Sequence, residues 1–279
     1  MEQKILILGA KGMLGRALGE VYADKNPVLW DKADLDVTKP LEVKSKLLEL
    51  KPTLILNATG FTDVDGAESN KELALAVNGQ AVGYLAKAAK ELGAIFVHYS
   101  TDYVFAGTKK EGYQEDDIPK PLSVYGQSKF LGEQLMQKNT EMYYLIRSAW
   151  MFGYDGEKNF VKKILTKASK EGTLKIVNDQ FGKPTYANDL AKRTREIIDK
   201  MLPCGIYHIT NETKEGGITW FDLAQKAIEL KGLKTKVVPC SSAEFSNPAR
   251  RPKYAALINT KLEPMRDWEE ALKDYLSNS

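Results

Sequence analysis

A phenol and an amine that lie four residues apart, on Tyr125 and Lys129, are the strongest indication of chemistry in this sequence. Residues i and i+4 of a helix share one face, so the two side chains would be neighbours. A free phenol has a pKa of about 10, and a nearby ammonium group lowers that value. Two hydroxyl-bearing residues, Ser100 and Thr101, follow an apolar segment upstream. Together these groups predict a proton-donating site for carbonyl chemistry, whereas the Tyr-x-x-x-Lys spacing alone is short enough to occur by chance.

A glycine-rich turn near the N-terminus makes chance a weaker explanation. The apolar run at residues 5–8 is typical of a strand buried on both faces, and Gly9, Gly12 and Gly15 lead from it into a helical pattern. Gly9 allows the tight turn, Gly12 the approach of the backbone to a pyrophosphate, and Gly15 the packing of the helix on the strand. We therefore predict a dinucleotide-binding loop. Its other predicted contacts with the cofactor are Lys11, Met13 and Leu14.

The end of the second predicted strand bears on the choice of cofactor. Asp31 follows the glycines by about twenty residues, where a carboxylate can bind an adenosine ribose and repel a 2′-phosphate. That position favours NADH, but three cations, Lys11, Arg16 and Lys32, could accept the phosphate of NADPH. The sequence leaves both NADPH and NADH open, and Asp31 could instead be a turn or cap residue.

Apolar strands alternate with helical segments along much of the chain. Beyond the glycines, the predicted strands are 27–30, 53–58, 94–98, 143–147, 174–177 and 205–210, and the predicted helices are 43–50, 73–92, 124–137, 160–169 and 188–201. The alternation predicts an α/β fold, a Rossmann-like doubly wound parallel sheet with a smaller C-terminal substrate-binding domain. The carboxyl ends of the strands should meet at one crevice, which adds Asn57 and Ala58 to the predicted cofactor contacts.

The predicted domain organisation has two parts. Residues 1–150 form the dinucleotide-binding Rossmann domain, to which the segment around 175–200 returns, and residues 151–279 form mainly the substrate-binding domain. In the second part, a proline-flanked loop holds Arg250 and Arg251, and two guanidinium groups suit a phosphate or diphosphate. The alternative is a solvated turn.

Composition and charge argue against several other classes of function. The chain has 279 residues, a net charge of +3 and no basic tract interleaved with aromatic residues, which argues against nucleic acid as the main partner. No apolar run approaches the roughly 18 residues of a membrane span and no signal-peptide layout is present, so no membrane partner and a cytoplasmic location are expected. Cys204 and Cys240 are interpreted as free thiols. His98 and His208 lack clustered ligands, so no metal site is expected.

Several strings resemble the extended short-chain dehydrogenase/reductase superfamily and, within it, the dTDP-4-dehydrorhamnose reductase family, along nearly the full length. The glycine triplet and the Tyr-Lys pair are shared by the whole superfamily. More specific are Ser-Thr-Asp-Tyr-Val-Phe at 100–105, Asn-Asp-Gln-Phe-Gly at 178–182 and Pro-Ala-Arg-Arg-Pro at 248–252. The resemblance implies reduction of the C4 ketone of dTDP-4-dehydro-β-L-rhamnose to dTDP-β-L-rhamnose by NADPH or NADH.

The same resemblance implies a role for each site residue. Tyr125 would donate a proton to the carbonyl oxygen, Lys129 would lower the pKa of Tyr125 and hold the nicotinamide ribose, and Thr101 would polarise the ketone. The implied substrate contacts are Asp102, Tyr103 and Trp150 around the sugar, Arg250 and Arg251 at the diphosphate, and Asn178 and Gln180 on the route to it.

Metal-dependent dimerisation is the point on which the chain departs from that family. Some members form dimers held by a divalent metal, through glutamates just after the third glycine and just after a Pro-Thr string. Here those neighbourhoods are residues 16–18 and 186–189, so a monomer or a homodimer is expected and a metal bridge is doubtful. Glu20 and Asp189 could substitute only by a shift of register.

Two alternative functions stay open. The chain could be an epimerase or dehydratase of another sugar nucleotide, which uses bound NAD in a redox cycle. It could also be a non-catalytic binding subunit, because the regulatory subunit of methionine adenosyltransferase resembles the same family. The intact set of Thr101, Tyr125 and Lys129 favours the reductase.

Overall fold

A parallel β-sheet forms the centre of the protein, whose computed structural model describes residues 4–153 and 159–278. The strands in these ranges are β1 (Ile5–Leu8), β2 (Val28–Trp30), β3 (Leu54–Asn57), β4 (Ile95–Thr101), β5 (Tyr143–Ser148), β6 (Met151–Phe152), β7 (Thr173–Val177), β8 (Phe181–Gly182), β9 (Thr185–Tyr186), β10 (Gly205–His208), β11 (Ile218–Thr219) and β12 (Lys236–Cys240). The helices are α1 (Met13–Val21), α2 (Pro40–Leu50), α3 (Gly66–Ser69), α4 (Lys71–Leu75), α5 (Ala81–Leu92), α6 (Val124–Asn139), α7 (Phe160–Ala168), α8 (Ala187–Asp199), α9 (Trp220–Leu230) and α10 (Trp268–Ser277). A π-helical turn, Ala76–Gln80, joins α4 to α5.

The main sheet has six parallel strands in the order β10-β5-β4-β3-β1-β2. The chain starts at β1, moves outward to β2 and then crosses to the other side of β1, where β3, β4 and β5 follow in turn. This reversal is the topological switch point, at which doubly wound sheets bind ligands beside the carboxyl ends of the strands. The predicted Rossmann-like doubly wound sheet is confirmed.

Helices cover both faces of this sheet. Ile5 and Ile7 of β1 pack on the side of α1 and α8, whereas Leu6 and Leu8 pack on the side of α2 and α5. All four side chains are almost completely buried. An unbroken apolar run is what a parallel strand covered on both faces requires, so the sequence of β1 matches its place in the sheet.

The last part of the chain adds smaller layers. β7 pairs in parallel with β12 and packs with α7 and α9, while β8 pairs with β11 and β6 with β9. α8 and β10 extend the main sheet assembly instead, since α8 packs on α1 and β10 pairs with β5. The division at residue 150, with a return around 175–200, stays a prediction. No helix within residues 4–153 and 159–278 combines the length and apolar character of a membrane span.

Most predicted elements are present with shifted ends. α2 begins earlier than predicted, at Pro40, because a proline in the first helical turn sacrifices no helical hydrogen bond. β4 runs on to Thr101 because that residue pairs with Ser148 of β5. The helix predicted over 73–92 is instead α4, the π-helical turn and α5. The segment at 174–177 is a strand, as predicted, but it belongs to the β7–β12 pair and not to the main sheet.

Candidate active site

Two cavities meet at the switch point of the sheet. The larger has a volume of about 500 Å³ and the smaller, which extends over the end of β2, has about 410 Å³. They share Gly12, Ala58 and residues 59–61, so they form one groove along the carboxyl edge of the strands. Of the predicted residues, the larger cavity is lined by Lys11, Met13, Leu14, Thr101, Tyr125, Lys129 and Trp150, and the smaller by Gly9 and Asp31.

The glycine loop has the shape that a pyrophosphate requires. Gly9 has a φ of +73°, and a Cβ there would lie 2.9 Å from the carbonyl group of Ala58. A Cβ on Gly15 would lie 2.1 Å from the Gly9 oxygen. α1, which is described throughout, begins after Gly12 with no capping side chain and no acidic residue in its first turn. Its backbone N–H groups are thus available to an anion in the groove, so the residues present fit a dinucleotide.

The smaller cavity contains the residues that bear on cofactor choice. Asp31 and Lys32 both line it. Asp31 is also a turn residue, because its Oδ1 accepts a hydrogen bond from the Lys32 backbone at 2.8 Å and its own N–H donates to Asp34 Oδ2 at 2.8 Å. Arg16 Nε donates to the Lys11 backbone oxygen at 3.1 Å. A carboxylate and one cation, Asp31 and Lys32, therefore lie at the same end of the groove, whereas Lys11 lines the larger cavity.

Tyr125 is held in the first turn of α6. Ser123 caps this helix, and its Oγ accepts a hydrogen bond from the Gly126 backbone at 3.2 Å. A Cβ on Gly126 would lie 2.3 Å from the backbone oxygen of Tyr103, so a glycine is needed for α6 to start this close to the end of β4. The rings of Tyr103 and Tyr125 meet edge to face with centroids 5.5 Å apart.

The acidity of Tyr125 differs from the sequence prediction. Its pKa is raised to about 12, first by burial and then by the charge of Asp102, while a hydrogen bond with Thr101 opposes both. The lowered pKa predicted for Tyr125 is therefore wrong, because removal from water outweighs the effects of nearby groups, whereas a favourable effect of Lys129 on the phenolate stays a prediction.

Lys129 lies deep in the same cavity. Its Nζ donates to the Tyr99 backbone oxygen at 2.5 Å and lies 3.3 Å from His98 Nε2. Burial lowers the pKa of Lys129 to about 8, and the charge of Glu133 opposes this shift. Asn57, predicted to contact the cofactor, is fully buried below the groove, with its Nδ2 3.1 Å from His98 Nδ1.

The Thr101 hydroxyl links the end of β4 to a buried carboxyl group. It accepts a hydrogen bond from the Tyr103 backbone at 3.2 Å and donates to Asp102 Oδ1 at 2.8 Å. Burial raises the pKa of Asp102 to about 7, and the hydrogen bond from Thr101 opposes this. Among the described residues, Asp102 Oδ2 has no hydrogen-bond partner.

A buried ion pair below Lys129 was missed by the sequence analysis. Glu133 Oε2 accepts a hydrogen bond from Arg147 Nη2 at 2.7 Å, and its Oε1 accepts one from Ser100 Oγ at 2.5 Å. Both charged side chains are almost completely buried. The available signal was the position of Glu133, which continues the four-residue spacing from Tyr125 and Lys129 along one helix face.

The two predicted phosphate-binding arginines differ in their surroundings. Arg251 forms a bidentate ion pair with Asp65, with distances of 2.6 and 3.1 Å, and lines a third cavity of about 240 Å³. Gln180 and Trp220 line the same cavity. Arg250 is exposed. The structure thus brings Gln180 and Arg251 together, and it adds Asp65 and Trp220, to which the sequence analysis gave no role.

Trp150 connects the larger cavity with the third one. It lines the first and stacks on Trp220, which lines the other, with ring centroids 3.6 Å apart. Trp150 has a φ of +45°, a left-handed conformation that is uncommon outside glycine. Asn178 is exposed, and its backbone donates to the Cys240 oxygen. It does not line any of these three cavities of the described chain.

Of the two residues considered as metal ligands, Asp189 has other partners. Asp189 forms an ion pair with Arg266 at 2.8 Å and accepts a hydrogen bond from Asn211 at 2.8 Å. Glu20 is exposed on α1. Within the two described ranges, no three His, Cys, Asp or Glu side chains come together as a metal site.

The doubly wound sheet, the glycine loop and the Tyr-Lys pair beside it define an extended short-chain dehydrogenase/reductase. The chain belongs to the RmlD substrate binding domain family, whose model matches residues 3–279. It is 37% identical to a dTDP-4-dehydrorhamnose reductase of Streptomyces griseus, over 96% of this chain and 91% of the relative. The crystal structure of a dTDP-4-dehydrorhamnose reductase of Clostridium acetobutylicum matches with a TM-score of 0.94, 38% identity and 99% of each chain covered. That of Bacillus anthracis, in complex with NADP, matches with a TM-score of 0.95, 33% identity and 100% of each chain covered.

Proposed function

We propose that this protein is an NAD(P)H-dependent oxidoreductase that reduces the C4 ketone of dTDP-4-dehydro-β-L-rhamnose to give dTDP-β-L-rhamnose. The observation that carries the proposal is the convergence of Thr101, Tyr125 and Lys129 on one cavity next to the glycine loop. Relatives named for this activity, similar to the chain over nearly its whole length, support it.

The cofactor would bind along the groove formed by the two cavities at the switch point. The pyrophosphate would bind at the N-terminus of α1, held by Gly9, Gly12 and Gly15. The adenosine ribose would lie near Asp31, and Ala58 would form the floor. When bound, the reduced nicotinamide supplies the hydride. Lys11, Met13 and Leu14 would complete this set.

The protein's own residues would supply the proton and the electrostatic field. Tyr125 would donate its phenolic proton to the C4 oxygen, since it is a partly buried acid that lines the cavity. Thr101 would donate a hydrogen bond to the same oxygen once its hydroxyl hydrogen turns away from Asp102. Lys129 would hold the nicotinamide ribose and favour the phenolate that remains.

The substrate would extend from the larger cavity past Trp150 to the third cavity. Asp102, Tyr103 and Trp150 would surround the sugar. Arg251, and Arg250 beside it, would bind the diphosphate, with Gln180 in the third cavity and Asn178 near its edge. The stack of Trp150 on Trp220 supports this route because it joins the two cavities.

We also infer that the protein acts in the cytoplasm as a monomer or a homodimer that is not bridged by metal. Cys204 and Cys240 are free thiols, as expected in a reducing compartment. Asp189 forms an ion pair with Arg266 of the same chain, which supports an oligomeric state that does not depend on a bridging metal. Light scattering with and without a chelator would test the oligomeric part.

The test of the function is to incubate the purified protein with the dTDP-4-keto-6-deoxy sugar and each reduced cofactor. We expect loss of reduced-nicotinamide absorbance and formation of the 4-hydroxy sugar, identified by NMR. Tyr125→Phe should bind cofactor normally and turn over about 10² to 10⁴ times more slowly, while Tyr84→Phe on α5 serves as the matched control. Isomerisation without net cofactor oxidation would favour an epimerase, and cofactor binding without any turnover would favour a binding subunit.

A further inference from the structure

One buried titratable side chain beside the proposed catalytic set has no assigned role. His98 is completely buried in β4, with its Nε2 3.3 Å from Lys129 Nζ and its Nδ1 3.1 Å from Asn57 Nδ2. Asn57 lies opposite His98 in the register of β3 and β4, and it directly precedes Ala58, which lines both cavities of the groove. The three side chains form a buried chain from the floor of the groove to the helix that carries Tyr125.

We propose that His98 is a positioning residue for Lys129: its neutral imidazole accepts a hydrogen bond from the ammonium group and fixes that group in the cavity. The kinetic part of this inference rests on the proposed function. The part that concerns the ionisation of Lys129 does not.

The hydrogen-bond capacity of Lys129 shows why a second acceptor matters. An ammonium group has three N–H donors. The Tyr99 backbone oxygen accepts one and His98 Nε2 a second, which leaves the third for a ligand in the cavity. Because a lysine side chain is a flexible stem, one backbone acceptor alone would allow the ammonium to swing about that contact. Two acceptors fix its direction.

His98 can accept this bond only while its imidazole is neutral. Burial, and secondly the charge of Lys129, hold the pKa of His98 well below its usual value, so the ring is neutral near neutral pH. Nε2 then accepts from Lys129 and Nδ1 carries the ring hydrogen. Asn57 Nδ2, 3.1 Å from Nδ1, is itself a donor and cannot accept this hydrogen, so its acceptor is the Asn57 backbone.

Other charges near Lys129 do not depend on His98. Glu133 on α6 acts on Lys129, Arg147 on β5 is paired with Glu133, and Asp102 after β4 acts on Tyr125. Glu133 is ion-paired with Arg147, and its charge favours the ammonium form of Lys129. Replacing His98 by an uncharged residue leaves these charges in place, so a changed titration of Lys129 would report the lost acceptor.

The test compares three variants. His98→Leu removes both ring nitrogens at similar volume, and His98→Gln keeps an acceptor near the position of Nε2. His208→Leu is the matched control, because His208 is also buried and its Nε2 lies 3.4 Å from a cation, Arg147 Nη1. The first readout is the titration of Lys129, followed by NMR of protein with isotope-labelled lysine and assigned with Lys129→Met. It requires neither cofactor nor substrate.

Burial already lowers the pKa of Lys129 to about 8. We expect His98→Leu to lower it by roughly one further pH unit, because a hydrogen bond to a charged group is lost. His98→Gln and His208→Leu should titrate like the wild type. In the reductase assay, kcat/KM of His98→Leu should fall about 10- to 100-fold, with its alkaline limb at lower pH, and His98→Gln should recover most of the rate.

An unchanged Lys129 pKa in His98→Leu would overturn the proposal whatever the activity. Equal losses of activity in His98→Leu and His208→Leu would show that His98 contributes only packing and does not position Lys129. If His98→Leu does not fold, His98→Asn takes its place, since its shorter side chain cannot reach Lys129, and the same outcomes apply. A wild-type protein that fails to reduce the dTDP sugar would contradict the proposed function alone.

Discussion

Burial shifts the protonation equilibria of Tyr125, Lys129 and Asp102 more than any neighbouring charge does. Each group is moved towards its neutral form, as expected where water is excluded. Tyr125 is thereby kept as an acid with its proton in place, and Lys129 is brought close to a physiological titration range. A bound cofactor and substrate would add their own charges near these groups, and those charges would shift the three pKa values again.

Asp102→Asn should change how stability depends on pH. The pKa of Asp102 is about 7 in the folded protein against an ordinary 3.8. Because the folded value is the higher one, the stabilisation is complete below about pH 4 and is lost as pH rises through 7. Relative to Asp102→Asn, the wild type should lose up to ~4 kcal/mol of unfolding free energy between pH 4 and 8. Urea denaturation across that range measures it, with the exposed Asp116→Asn as control, and parallel pH profiles for wild type and Asp102→Asn would refute it.

The choice of cofactor is a second prediction at this scale. Asp31 and Lys32 line the same cavity, so repulsion and attraction of a 2′-phosphate oppose each other. We expect both NADH and NADPH to be used, with less than about a hundredfold preference. Asp31→Ala should shift the kcat/KM ratio towards NADPH, and Glu20→Ala on α1 controls for the change in net charge. An unchanged ratio would mean that Asp31 does not face the adenosine ribose.

A buried charge pair joins α6 to strand β5 of the sheet. Glu133 is bound by Arg147 and Ser100, and all three are buried. Glu133→Gln would leave the Arg147 charge without its counter-ion, which typically costs about 3 to 5 kcal/mol. Glu91→Gln, which breaks the exposed pair with Lys44, should cost at most about 1 kcal/mol. Chemical denaturation compares the two, and equal costs would show that the buried pair does not anchor α6.

Features that lie within one element are predictable from the sequence, and contacts between distant elements are not. The spacing of Tyr125 and Lys129, and the glycines after β1, depend on local geometry that periodicity and residue type encode. The stack of Trp150 on Trp220, the β7–β12 pair and the raised pKa of Tyr125 depend on which elements pack together. Propensity and pattern do not determine that packing, so these features required the structure.

At the scale of the whole molecule, one ion pair joins the first half of the chain to its last part beside the site. Asp65 precedes α3 and Arg251 lies 186 residues further on, yet their charged groups are 2.6 Å apart. Asp65 Oδ1 also accepts a hydrogen bond from the Ala249 backbone. The loop that carries both predicted diphosphate ligands is therefore held by Asp65, and Arg251 lines the third cavity.

Arg251→Ala should weaken binding of the dTDP substrate about 10- to 100-fold and leave cofactor affinity nearly unchanged, because a charge-assisted contact is lost at one ligand only. Arg250→Ala should also weaken binding of the dTDP substrate. Asp65→Asn keeps the guanidinium but loosens the loop, so it should raise the substrate KM by less than Arg251→Ala does. Calorimetric titration with dTDP and with NADPH separates the two ligands for each variant. Equal losses for both ligands in Arg251→Ala would place this arginine outside the substrate site and leave the ion pair with Asp65 as a purely structural link.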